Sequence, residues 1–237
     1  MTSKNLDIQV EYLTRVEGHG NIAVNVKNGK IEQCDFLVVE SPRLFEGMLR
    51  GRSIFEAQHI TSRICGICSC GHSLASIQAA EDALGITPTE QTIKLRNLLL
   101  DYEFLDSHIL HVYLLAAPDV LGVPSFVPLI KTHNKVVRRA LRMKKLCNDV
   151  CDILVGRHVH PISAIVGGFT KLPTPKDLDD MLAMLRSMKD DMEETLAVAK
   201  TLQFPDFYRE TEYVALVSDD DEYPLLMGDI GSTDGLR

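Results

Sequence analysis

The chain has 237 residues, of which 45% are hydrophobic and 24% charged, an ordinary balance for a core-forming protein. A formal net charge of −8 argues against broad nucleic-acid binding, which needs basic surface to displace counterions. No apolar run is long enough for a membrane span, the N-terminus lacks the apolar core of a signal peptide, and the missing Trp disfavours aromatic cages.

In chain order, 6–13 and 22–26 alternate apolar and polar residues, and Asn28-Gly29 marks a tight turn within a hairpin over 22–40. The spacing therefore predicts a small antiparallel sheet in 1–45, ended by Ser41-Pro42. Residues 46–237 read as helical. A short helix begins in 54–64. A second spans 73–84, with Leu74, Ile77 and Leu84 on one face and Gly85 as its stop. Thr89 caps a long helix over 90–116, apolar nearly all round and hence central and buried. A helix over 133–155 has Lys131, Lys135, Arg138, Arg139, Arg142, Lys144 and Lys145 on or near it, a basic cluster read as a solvated face or, alternatively, a partner surface. A helix over 176–202 places Leu178, Met181, Leu185, Met188, Met192 and Leu196 in a core-packing stripe. The tail from 219 is acidic and then Gly-rich. The expected fold class is α+β, mainly α: a small N-terminal sheet, then a helical bundle around a central buried helix.

Three of the six cysteines fall within six residues, in Arg63-Ile-Cys65-Gly-Ile-Cys68-Ser-Cys70-Gly-His72. That density suggests metal ligation or thiol chemistry. Cysteines three apart at a helix start present both sulfurs to one ion, and the helix N-terminus favours thiolates. His72 lies one turn beyond Cys68, within reach of the same centre, and Arg63 adds positive charge. A CxxC alone is unspecific: a zinc site needs a second pair and an iron–sulfur cluster needs about four thiolates. Cys34, Cys147 and Cys151 read as small buried hydrophobes. A second cluster, Thr14-Arg-Val-Glu17-Gly-His19-Gly20, offers a proton carrier if Glu17 is partly buried, and otherwise a polar turn. A third, Gly156 to Gly168, holds His158 and His160 beside paired glycines. His108 and His111 read first as satisfied core groups.

Together the segments TRVEGHG, PRLFEGMLRGR, AQHITSRICGICSCGH, SHILHVYLLAAPD and GRHVHPISAIVGG closely resemble the large, catalytic subunit of nickel–iron hydrogenases. The likeness is greatest to the cytoplasmic, methanogen-type group. The resemblance implies reversible oxidation of H2 to protons and electrons. It makes Cys65 a terminal nickel ligand and Cys68 a bridge between nickel and an iron that carries CN and CO. His72 would hydrogen-bond the bridging sulfur, Arg63 would line the site, and Glu17 would relay protons. Glu46 resembles a ligand of a structural magnesium or iron, and Asp119 a pocket aspartate paired with an arginine. His111 and His160 match motif histidines, His19 is structural, and Cys70 matches no metal ligand. Iron–sulfur clusters would sit on a partner small subunit, with flavin, deazaflavin or heterodisulfide-reductase subunits further on. No nucleic acid or direct membrane span is implied, and the cytoplasm is the expected location.

The family completes its centre with a second CxxC in its C-terminal half, and no cysteine follows Cys151 here. A truncated chain, a split subunit or a shortened relative without the bimetallic site would each fit. The last would be a structural or electron-transfer scaffold.

Overall fold

The computed structural model describes residues 5–41, 43–204, 206–219 and 223–235. Pro42 of the expected sheet terminator and 220–222 and 236–237 of the acidic tail lie outside the described residues. The chain divides into two compact units, Met1–Arg50 and Gly51–Arg237.

The first unit is a three-stranded antiparallel sheet in the order β1 (Leu6–Val10), β2 (Gly20–Lys27), β3 (Lys30–Val38), followed by the short helix α1 (Leu44–Leu49). The β2–β3 hairpin turns on Asn28 (φ 51°) and Gly29 (φ 76°), the paired left-handed conformations of the turn the sequence predicts. Gly20 is dictated by packing, because a Cβ there would lie 2.7 Å from the Phe36 ring. The first strand stops at Val10 rather than Leu13, and Tyr12 takes φ 55°. Cys34, expected to be buried, is exposed on β3, where every residue is exposed.

The second unit is mainly helical. The stretch 54–64 is two 3₁₀ turns flanking α2 (Ala57–Thr61). Next come α3 (Ser69–Leu84), α4 (Glu90–Leu110), α5 (Ala117–Val120), α6 (Leu129–Thr132), α7 (Asn134–Val155), α8 (Pro175–Ser187) and α9 (Lys189–Ala199). Two small hairpins complete it, β4 (Ala164–Ile165) with β5 (Gly168–Phe169), and β6 (Val214–Val217) with β7 (Asp229–Ser232). The last hairpin was not foreseen in the acidic tail.

The core lies where α4 packs on α3 and α7. Leu74 and Ile77 of α3, Leu95, Leu99, Leu100 and Ile109 of α4, and Met143, Val150 and Leu154 of α7 are all buried. Cys147 and Cys151 join them, as their spacing suggested. Leu84 is exposed, however, because it is the last residue of α3, just before the left-handed Gly85 where the chain leaves the helix.

The central helix departs from its prediction twice. It buries one face only, with Asp101, Phe104 and His108 exposed. It also widens into a π-turn at His111–Ala116 before α5. Pro118 lacks the N–H that a continuous helix would use at that position. His108 and His111 are exposed, not core groups. The expected 176–202 helix breaks at Met188 into α8 and α9. Met181 and Met188 are buried, whereas Leu178, Leu185, Met192 and Leu196 are exposed, so only part of the stripe packs. The basic face of α7 is largely paired: Arg142 and Arg139 meet Asp191 and Glu194 of α9, and Lys144 meets Asp106 at 2.6 Å.

Candidate metal centre

The CxxC lies in the loop between the second 3₁₀ turn and α3, and Cys68 takes the N-cap position of that helix. Cys65 is extended (φ −139°, ψ 140°), and the chain folds back so that the Cα atoms of Cys65 and Cys68 lie 5.5 Å apart. The two sulfur atoms converge to direct contact. A disulfide and a shared metal need the same convergence of sulfur atoms, and metal binding needs the reduced pair. Cys68 N–H donates to Cys65 Sγ at 3.0 Å, a contact that favours negative charge on that sulfur.

His72 completes the group. A ligand atom from each of Cys65, Cys68 and His72 lies within 4.8 Å of the others. Metal–sulfur bonds run about 2.3 Å and metal–nitrogen bonds about 2.0 Å, so small side-chain shifts would bring all three donors onto one ion. Two thiolates and an imidazole suit a soft or borderline transition metal. Among the described residues this is the one cluster of its kind, and three donors leave positions to be filled from elsewhere.

The loop is braced from several sides. Thr61 Oγ1 donates to the His72 carbonyl at 3.3 Å. His160 N–H donates to Ser69 Oγ at 3.0 Å, and its Nδ1 bonds the Ser62 carbonyl at 2.8 Å. These bonds hold His160 at φ 60°, a conformation uncommon for a non-glycine residue. The third cluster of the sequence therefore supports the first.

Glu103 was missed in the sequence. Its carboxylate accepts the N–H groups of Cys70 and Gly71 at 2.6 and 2.9 Å. Burial pushes its carboxyl above the usual range, against the opposing effect of those two bonds. A signal was present: Glu103 and Asp106 continue the helical spacing of Leu95 and Leu99, so acidic groups stand on the packing stripe. The Oδ1 atom of Asp106 is buried with no hydrogen-bond partner among the described residues. A hydrogen bond with Cys151, then burial and the Glu103 charge, hold the Cys70 thiol far above its ordinary pKa, so it stays neutral. Burial likewise pushes Cys147 up to about 12.

Arg63 and Asp119 are exposed in the second unit. Glu17 and Glu46 are exposed in the first, so the partial burial that would favour proton carriage at Glu17 is not met there. His19 Nδ1 lies 2.7 Å from Glu40 Oε1, a local tie across the sheet end.

A family model described as nickel-dependent hydrogenase matches residues 43–129, and one described as HoxL-like matches 7–41. The former covers the whole metal cluster. The chain belongs to the nickel-dependent hydrogenase large-subunit family. Sulfhydrogenase 1 subunit alpha of Pyrococcus furiosus is 33% identical over 236 residues, which is 99% of this chain and 55% of that protein. Sulfhydrogenase 2 subunit alpha of the same organism is 38% identical over 181 residues, 76% of this chain and 44% of that protein. A crystal structure of an NAD+-reducing NiFe hydrogenase in the H2-reduced state superposes with a TM-score of 0.86 at 26% identity, covering 97% of this chain and 55% of the other. The chain thus spans about half the length of these hydrogenase relatives. Among the described residues no helix is long and apolar enough to cross a membrane.

Proposed function

We propose that this chain supplies the first half of a nickel–iron hydrogenase catalytic centre and works within a multi-subunit complex that oxidises H2 reversibly. The observation that carries this reading is the convergence of the Cys65 and Cys68 sulfurs beside His72. When bound, a nickel–iron pair whose iron carries CN and CO supplies the soft, electron-rich metals at which H2 splits into hydride and proton. Cys65 would hold nickel and Cys68 would hold both nickel and iron, and a cysteine sulfur can act as the first base for the proton. His72 steadies the bridging sulfur. Glu17 relays the proton onward, Arg63 and Asp119 line the pocket, and Glu46 serves a structural magnesium or iron.

Two thiolates leave the pair half-ligated, so the remaining thiolates come from outside residues 1–237. Electrons leave through iron–sulfur clusters on a small subunit, because this chain has too few spare cysteines to hold them and the described residues bring no four together. Further flavin, deazaflavin or heterodisulfide-reductase subunits receive them. By likeness to the methanogen-type group, the complex works in the cytoplasm. The rival reading is a hydrogenase-like scaffold without a bimetallic site; the retained CxxC disfavours it.

Element analysis of the intact complex, purified anaerobically with all its companions, tests the choice. Nickel and iron bound in a Cys65- and Cys68-dependent manner support the enzyme. A nickel-free complex overturns it.

A further inference from the structure

The start of α3 has no cap of its own. Cys68 stands at the N-cap position but makes no side-chain bond to the helix. The first turn is closed instead from a distance, by the Glu103 carboxylate of α4 on the N–H groups of Cys70 and Gly71. Glu103 also lines, with Cys68 and Gly71, a cleft of about 520 Å³. A Cβ at residue 71 would sit 3.6 Å from Glu103 Oε2, an ordinary van der Waals contact, so the carboxylate lies directly against the helix start.

This arrangement changes the electrostatics expected of a cysteine at a helix start. Free N–H groups amount to roughly half a positive charge there, which favours a thiolate. A carboxylate across those same groups turns that positive end into a negative neighbour. Charge in a partly buried site is screened far less than on open surface.

We propose that Glu103 is a positioning residue for the metal centre: it closes the α3 N-terminus behind Cys68, fixes that end of the sulfur pair, and raises electron density at its sulfur. The inference rests on the hydrogenase reading above. It goes beyond it by giving a role to a carboxylate on an element that carries none of the assigned ligands.

The test uses the intact complex carrying the unchanged chain, Glu103→Gln or Glu103→Asp. Nickel per complex is measured, together with the infrared stretching bands of the diatomic ligands on iron. A nearby negative charge lowers those frequencies, so Glu103→Gln should shift them upward while Glu103→Asp restores them. Nickel lost from Glu103→Gln but kept in Glu103→Asp supports the same assignment, because only a carboxylate answers both N–H groups. Bands and nickel unchanged in both variants overturn it, and so does equal nickel loss in both. A nickel-free complex with the unchanged chain overturns the hydrogenase reading instead, so the two failures are distinguishable.

Discussion

Glu81 of α3 and Arg96 of α4 form a bidentate ion pair in the core, with N···O distances of 2.6 and 2.8 Å and both residues buried. Glu81 also accepts the Gly167 N–H at 2.7 Å, and Arg96 donates to the Ile165 carbonyl at 3.1 Å. One pair therefore ties together α3, α4 and the β4–β5 hairpin.

Removing one partner strands the other charge in the core. Glu81→Gln should cost about 3–5 kcal/mol of stability, read by thermal or denaturant unfolding. The pH dependence has a defined sign. Burial raises the Glu81 carboxyl, but the bonds from Arg96 and Gly167 outweigh it and leave the native pKa below the ordinary value. The pair's contribution is then complete above the ordinary glutamate range, near pH 4.3. It is lost as pH falls through the lowered native value. The acid limb of the stability curve should flatten in Glu81→Gln; an unchanged limb would remove Glu81 from the account.

Cys65→Ser and Cys68→Ser should each abolish nickel retention and hydrogen uptake in the assembled complex, with helical content unchanged by circular dichroism. Nickel binding in either serine variant at the level of the unchanged chain would contradict the ligand assignment.

Glu17→Gln should leave nickel and iron in place while slowing turnover by about 10²–10⁴-fold, the usual worth of a positioned acid–base group. Metal content and hydrogen uptake measured on one preparation separate these effects. Full-rate uptake would end the proton-relay role.

Leu99 is fully buried at the meeting of the three core helices. Leu99→Ala should destabilise the second unit by about 2–5 kcal/mol, with the spread set by how far α3 and α7 close the cavity. Urea denaturation checks it; a loss near zero would mean the helices collapse onto the gap.

The local pattern of residues was enough to specify the N-terminal hairpin and most helix positions. Asn28-Gly29 encodes its turn through backbone preference alone, and the spacing of Leu74 and Ile77 reports the face that α3 buries. The CxxC was equally legible, since two cysteines three residues apart carry most of their geometry in the intervening backbone.

Other features depend on partners distant in sequence, which periodicity does not encode. Met188 breaks the long acidic helix where α8 turns into α9. His160 reaches Ser62 and Ser69 from about a hundred residues away, and Glu103 answers N–H groups more than thirty residues earlier. The sequence by itself determined which residues could hold a metal, because side-chain chemistry and short spacing are local properties. Only the tertiary structure decided what braces them and whether each is buried, because hydrogen-bond partners and desolvation arise when helices far apart in the chain pack together.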